Sequence, residues 1–194
     1  MRIIKMNKFF LLFIITHYIF FSCENSLLPK QNGFLKMDFK DPKYKIFEDE
    51  NSLINFYYNS NFVDIEIKNP QIISLQYPEF NLSVDLFSDN MRERKNLDNN
   101  LTDFSLILDT HSIRSNGIIL REYENKDKNV YGKLFEITGD VASPIKFYLT
   151  DSVSNFISGS INLKFKPKYD SIYPLIQYVK NDILVLFQSV NWNQ

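Results

Sequence analysis

Cys23 is the residue whose position most directly predicts chemistry, because it is the only cysteine in the 194-residue sequence. Before it lie the almost wholly apolar run 9–21 and a basic start that contains Arg2, Lys5 and Lys8. This order is typical of an export signal, and the apolar run is shorter than the roughly 20 residues that a transmembrane helix needs. A lone cysteine cannot form an intrachain disulfide, so the pattern predicts another use for Cys23.

That use is lipid attachment, because a small residue followed by cysteine at the end of an apolar run matches a bacterial lipobox. Ser22 and Cys23 supply this pair. We predict that diacylglycerol is added to the sulfur of Cys23 and that the chain is cleaved between Ser22 and Cys23. Membrane lipid is then the first predicted partner, and stable anchoring needs two or more chains at about 0.8 kcal/mol per buried CH₂. An uncleaved signal anchor with an incidental cysteine is the alternative.

Few other residues offer catalysis or metal binding. After Cys23 the chain has one histidine, His111, and it has no G-x-S-x-G motif, P-loop or dinucleotide-binding motif. Catalytic triads and zinc sites require more than this. We therefore predict no catalytic, cofactor or metal site. A calcium site at Asp140 or Asp151 and a glycosidase-like pair of carboxylates are the alternatives. The net charge of −1 argues against a nucleic-acid partner.

Thr150, Asp151 and Ser152 form the sharpest local motif, and they lie between two predicted strands. Side chains of Asp and Ser in a turn can bond to nearby backbone N–H groups, so a structural role is favoured over a binding role. Trp192 follows the last predicted helix, and we expect it to pack at the domain edge rather than contact a partner. The 18 Phe and 11 Tyr suit a β-rich core, with a carbohydrate- or peptide-binding aromatic platform as the alternative.

Periodicity predicts the elements that position these residues. Apolar alternation between 130 and 165, interrupted by turn residues, predicts a three-stranded antiparallel meander. Helical spacing predicts helices over Leu97–Arg114 and Ser171–Val190, the second capped by Asp170 and Ser171 with Pro174 in its first turn.

The predicted fold is α+β: a mainly antiparallel β-sheet of about seven or eight strands, packed by two or more helices including a long C-terminal one. The domain has two layers if both helices cover one face of the sheet. It has three if the early segments cover the other face.

Residues of this C-terminal part also carry a family pattern. They are Val130-Tyr131-Gly132, Gly139, Ala142-Ser143-Pro144, the run Phe147 to Ser152, Phe156, Gly159, Asp170-Ser171, Pro174, Asp182-Ile183 and Trp192. In these residues the chain resembles the gliding-motility lipoprotein GldD family of Bacteroidota, and the resemblance extends back to Pro29. It implies a non-enzymatic, membrane-anchored lipoprotein of the cell envelope, acylated for example by palmitate and facing the periplasm. It also implies a requirement in gliding motility and an association with the type IX secretion system, whose envelope proteins would be its partners.

Three regions follow from these observations. Residues 1–22 are predicted to be the lipoprotein signal peptide, residues 23–32 the lipidated N-terminus and tether, and residues 33–194 a single GldD-like domain. The function that the resemblance implies is a non-catalytic scaffold or assembly factor. An envelope glycan-acting enzyme and a ligand-binding lipoprotein are the alternatives.

Overall fold

The computed structural model of the protein describes residues 36–90, 94–113 and 115–193. The predictions for the signal peptide, for Ser22 and Cys23 and for the tether 23–32 lie outside the described residues. So do the side chain of His111 and the whole of Arg114, where the first predicted helix was expected to end.

Ten strands and two α-helices are described. The strands are β1 (Tyr44–Phe47), β2 (Ile54–Asn59), β3 (Asp64–Asn69), β4 (Ile72–Tyr77), β5 (Leu82–Asn90), β6 (Gly117–Asn125), β7 (Val130–Thr138), β8 (Ile145–Thr150), β9 (Asn155–Leu163) and β10 (Asn191–Trp192). The helices are α1 (Arg94–Ser112) and α2 (Tyr169–Ser189), and a 3₁₀ turn at Pro78–Phe80 separates β4 from β5. This content confirms the α+β class, with a 21-residue helix near the C-terminus.

The strands form two sheets. Seven of them pair in the order β3-β4-β5-β9-β8-β7-β6, and the other three pair in the order β1-β2-β10. Every pairing is antiparallel. The predicted meander is confirmed as β7, β8 and β9, which pair in succession. The 3₁₀ turn begins at Pro78, where a strand ladder is disfavoured because proline cannot donate a backbone hydrogen bond.

The two helices cover opposite faces of the larger sheet. Phe147 and Tyr148 are consecutive on β8, so their side chains point to opposite faces. The ring of Phe147 packs edge-on against Phe187 of α2, with 5.2 Å between ring centroids. The ring of Tyr148 packs against Phe104 of α1, at 5.3 Å. The early strands β1 and β2 lie on the same side of the larger sheet as α2. Neither the two-layer nor the three-layer arrangement considered from the sequence had the helices on opposite faces with these strands beside α2.

The main core lies between α2 and the larger sheet. One stripe of α2 is buried there, and it comprises Leu175, Ile176, Val179, Ile183, Leu186 and Phe187. Burial of each such side chain is worth about 1.5–3 kcal/mol, so this contact alone is enough to hold the helix on the sheet. None of the helices described is long and apolar enough to cross a bilayer.

The start of α2 corrects a prediction. Its N-cap is Lys168, which makes no side-chain capping bond, and Asp170 lies in the first turn. The expected cap at Asp170 and Ser171 is therefore wrong, and Pro174 lies inside the helix rather than in its first turn. The physical reason is a tertiary contact, because Asp140 accepts a 2.8 Å hydrogen bond from the backbone N–H of Tyr169. This bond satisfies a free N–H at the helix start.

Candidate functional site

A cleft of about 760 Å³ opens where three chain segments meet at one end of the domain. The segments are the turn between β6 and β7, the turn between β8 and β9, and the chain around β10. Its lining residues are Asp127, Lys128, Asn129, Asp151, Val153, Ser154, Asn155, Asn191, Trp192 and Asn193. Two residues that the sequence singled out, Asp151 and Trp192, therefore line one cleft although they are 41 positions apart.

The carboxylate of Asp151 organises the turn between β8 and β9. Its Oδ1 accepts hydrogen bonds from the backbone N–H groups of Val153, Ser154 and Asn155, each at 2.9 Å. Its Oδ2 accepts from the Ser154 hydroxyl at 3.0 Å and from the Asn155 side-chain amide at 2.8 Å. Burial alone would raise the pKa of Asp151, but these bonds favour the ionised form and lower it below its ordinary value.

Thr150 and Ser152 complete this turn. The Thr150 hydroxyl donates to the backbone carbonyl of Asn155 at 2.7 Å and accepts from the N–H of Ser152 at 2.9 Å. Ser152 has a φ of 66°, in the left-handed region that costs a non-glycine residue of the order of 1 kcal/mol. The geometry thus shows the Thr150-Asp151-Ser152 motif bonding its own turn, which leaves little of the Asp151 carboxylate for a ligand.

Trp192 forms the opposite wall of the cleft. It pairs with Ile54 through the β10–β2 ladder, and its indole N–H donates to the carbonyl of Asn129 at 3.1 Å. Asn129 is itself left-handed, with a φ of 50°. Lys128 lies beside it, and its ammonium donates to the carbonyl oxygens of Gln188 and Ser189 at 3.3 and 3.5 Å. These carbonyls end α2, where a positive charge is favourable.

A second candidate is the buried carboxylate of Asp182 on α2. It accepts hydrogen bonds from the hydroxyl of Tyr44 at 2.8 Å, the hydroxyl of Tyr77 at 3.1 Å and the amide of Asn59 at 3.2 Å. Burial raises the pKa of Asp182 despite these bonds, which act to lower it. Burial also raises the pKa of Tyr77 far above its ordinary value, with the Asp182 charge adding to the effect. Since these donors come from β1, β4 and β2, the cluster ties α2 to both sheets, and we assign it a structural role.

A third candidate is the ion pair between Glu136 on β7 and Lys180 on α2. The ammonium of Lys180 lies 3.0 Å from Oε2 of Glu136, and both side chains are almost fully buried. Gln177 donates to the other carboxylate oxygen at 2.7 Å and also bonds to Lys180. All of these charges are paired, so the arrangement connects the sheet to α2 and leaves no group free to react.

Lys146 differs from these charged groups. It is 6% exposed on β8, between Phe135 and Ser160 on the neighbouring strands, and burial lowers the pKa of its ammonium. No carboxylate of the described residues lies within ion-pair distance of it. A single lysine without a base or an acceptor for its proton does not make a catalytic site.

Asp151 is poorly suited to act as a general acid in this cleft. The raised pKa of Asp182 belongs to a carboxyl group that does not line the cleft. A general acid at neutral pH needs such a raised pKa, whereas that of Asp151 is lowered. In the same part of the chain no cluster of three or more His, Cys, Asp or Glu is placed to hold a metal ion.

Sequence reasoning missed Asn129 and Asn191 as cleft residues. It placed Trp192 at the domain edge, but it did not bring the turn between β6 and β7 together with the chain around β10. One signal was present in the sequence: Asn191 and Asn193 flank the single tryptophan, and ligand pockets combine aromatic side chains with a few polar groups.

Comparison with known families identifies the family of this chain. A family model described as "Gliding motility lipoprotein GldD" matches residues 24–192. The chain belongs to this family. No curated protein matches it significantly. The GldD family is one of gliding-motility lipoproteins and is not a known enzyme family, so the protein is a membrane-anchored envelope protein with a part in gliding motility.

Proposed function

We propose that this GldD-family protein is a non-catalytic scaffold, held at a membrane by acylated Cys23, that contacts proteins of the gliding-motility and type IX secretion machinery in the periplasm. The family match over residues 24–192 carries this proposal. The matched region starts at residue 24, one residue after Cys23, which is the predicted first residue of the mature lipoprotein. The lowered pKa of Asp151 favours a binding role over an enzymatic one, and the described residues hold no metal-binding cluster.

An exposed apolar surface supports a protein partner. Ile118, Ile119 and Leu120 are consecutive on β6, and each is between 40% and 47% exposed. β6 is the edge strand of the larger sheet, so its outer backbone groups are open to another strand. By register, Ile118 and Leu120 lie on the face that α1 covers, and α1 adds further exposed apolar side chains, which are Leu106, Ile107 and Ile113. Ile119 points to the opposite face, because it lies beside Glu136, which bonds to Lys180 of α2. We call Ile118, Leu120, Leu106, Ile107 and Ile113 the β6–α1 surface.

The other edge of the same sheet differs. There β3 carries Asp64, Glu66 and Lys68 along its whole length, and charged side chains of this kind discourage strand addition. On β6 the charged residues Arg121, Glu122 and Glu124 come after the apolar run 118–120 and do not interrupt it. Contiguous exposed apolar residues are typical of protein contacts. We therefore assign the partner contact to the β6–α1 surface, with an envelope protein of the motility or secretion machinery as its occupant.

The anchor is tested with the full chain carrying Cys23→Ala, compared with wild type and with Ser22→Ala, which keeps a small residue before the cysteine. We expect acyl chains on wild type and on Ser22→Ala, by mass spectrometry, and none on Cys23→Ala, which leaves the membrane fraction. Gliding should be lost only in the Cys23→Ala cells. An unlipidated wild-type protein, or normal gliding with Cys23→Ala, would refute the anchor.

The partner contact is tested with Leu120→Lys, matched by Ile67→Lys on the opposite edge, where Ile67 is 50% exposed. Both variants keep Cys23, so both should remain lipidated. After cross-linking in cells, we expect wild type and Ile67→Lys to recover motility or secretion components and Leu120→Lys to lose them. Equal recovery by all three proteins would exclude the β6–α1 surface, and no recovery by wild type would exclude the scaffold.

A further inference from the structure

The cleft that contains Asp151 and Trp192 continues into a second recess of about 600 Å³. Trp192 and Asn193 line both, and the far side of the second recess is formed by Glu48, Asp49, Glu50 and Asn55. Because both recesses are lined by Trp192 and Asn193, we treat them as one open groove and call it the Trp192 groove. A groove of this size can take several units of an extended ligand, since single ligand sites usually measure about 300–1,000 Å³.

Trp192 is held in place from both sides of the groove. On one side its indole N–H bonds to Asn129. On the other side the amide of Asn193 donates to the carbonyl of Ser52 at 2.9 Å, and it accepts from the amide of Asn55 at 2.8 Å. The backbone N–H of Asn193 also donates to the carbonyl of Leu53 at 2.9 Å. The aromatic wall is therefore fixed before any ligand arrives, which reduces the entropic cost of binding.

Three polar side chains along the groove remain available to a ligand. Those of Asp127, Asn129 and Asn191 are exposed, and none of them bonds to a described residue. Each Asn amide offers two donors and an acceptor, and the carboxylate of Asp127 offers acceptors. The indole of Trp192 packs partly on the core and also lines the groove, so it adds a flat apolar surface beside these groups.

The charges of the groove restrict the ligand. Lys128 is the one cation among the lining residues described for either recess, and its ammonium is directed at the end of α2. The acidic side chains of Asp127, Glu48, Asp49 and Glu50 make the groove negative, so an anionic ligand such as a phosphate would be repelled. The groove suits a ligand that carries many hydroxyl groups, has a flat apolar face and is uncharged.

We propose that the Trp192 groove binds a neutral oligosaccharide. The indole of Trp192 packs against the C–H face of a sugar ring, and the side chains of Asp127, Asn129 and Asn191 bond to its hydroxyl groups. The proposed role is binding, with no hydrolytic step. The inference goes beyond the scaffold role, and it depends neither on Cys23 nor on the β6–α1 surface.

Trp192 allows a direct test because it is the only tryptophan in the sequence. Intrinsic tryptophan fluorescence of the full chain in detergent therefore reports on this groove alone. We expect cellotetraose or chitotetraose to produce a saturable change in emission, with matching heat in calorimetric titration. If neither sugar produces a change up to about 10 mM, the proposal is overturned. It is also overturned if tetralysine binds and both sugars fail, because the groove would then be a site for basic peptides.

Single substitutions test whether the sugar binds in the Trp192 groove. Asn191→Ala and Asp127→Ala remove exposed side chains, so they should keep the melting temperature of wild type and weaken sugar binding by about tenfold or more. Asn99→Ala, an exposed asparagine of α1 far from these segments in sequence, is the matched control and should bind as wild type does. If all three variants bind equally well, the sugar lies elsewhere and the groove assignment fails. These readouts are unaffected by loss of lipidation or of protein partners.

Discussion

Replacing Asp151 by alanine should destabilise the protein more than its partly exposed position suggests. The change removes five hydrogen bonds, of which three come from consecutive backbone N–H groups at 2.9 Å. Each bond is worth about 0.5–1.5 kcal/mol net, and the freed N–H groups can reach water at this half-buried turn. We therefore expect a loss of about 2–3 kcal/mol in the free energy of unfolding, above the roughly 1 kcal/mol typical of a lost helix cap.

Asp151→Asn separates the shape of the turn from its charge. The asparagine carbonyl can replace Oδ1 as the acceptor of the three backbone bonds, so we expect a loss of only about 1 kcal/mol. Urea unfolding followed by circular dichroism measures both variants, with Asp103→Ala on the exposed face of α1 as the control. The control should stay within about 0.5 kcal/mol of wild type.

The pH dependence of urea unfolding tests the contribution of the Asp151 charge. The pKa of Asp151 is lower in the folded protein, so its contribution is present above the unfolded value of about 3.9 and is lost as pH falls through the folded value. The advantage of wild type over Asp151→Asn should therefore shrink as the pH falls below about 4. Two results would contradict this role of Asp151. One is a loss of less than about 0.5 kcal/mol in the free energy of unfolding of Asp151→Ala. The other is a stability difference between wild type and Asp151→Asn that does not change with pH.

Two further predictions concern the core. In Gly159→Ala, the added Cβ would lie 2.2 Å from the Phe147 ring, so thermal unfolding should show a loss of about 1–3 kcal/mol that Phe147→Leu partly reverses. A Gly159→Ala protein as stable as wild type would contradict this packing. The pKa of Asp182 is raised in the folded state, so its contribution is present below about pH 3.9 and is lost as pH rises through the folded value. Urea unfolding should therefore show wild type gaining stability relative to Asp182→Asn as the pH falls, and the opposite slope would refute the burial of this carboxyl group.

Local sequence determined most of the elements. The alternation of apolar residues on β7, β8 and β9 follows directly from a strand with one face on the core, so the meander and its turns could be predicted from the chain. The stripe on α2 was equally clear, because residues three and four apart share a helix face. The turn at Asp151 could also be recognised from the sequence. All of its hydrogen bonds join residues at most five positions apart, so the residues that form it are neighbours in the chain.

The tertiary structure alone decided what distant segments do together. The start of α2 depends on Asp140, which lies 29 positions from Tyr169, so no local capping pattern could indicate it. The layering of the helices depends on which face of β8 each one covers, and two apolar faces look alike in sequence. The Trp192 groove depends on four segments that meet only because β10 pairs with β2 and the two turns lie at the same end of the sheet. Periodicity reports which face of an element is apolar, but only folding determines what lies against that face.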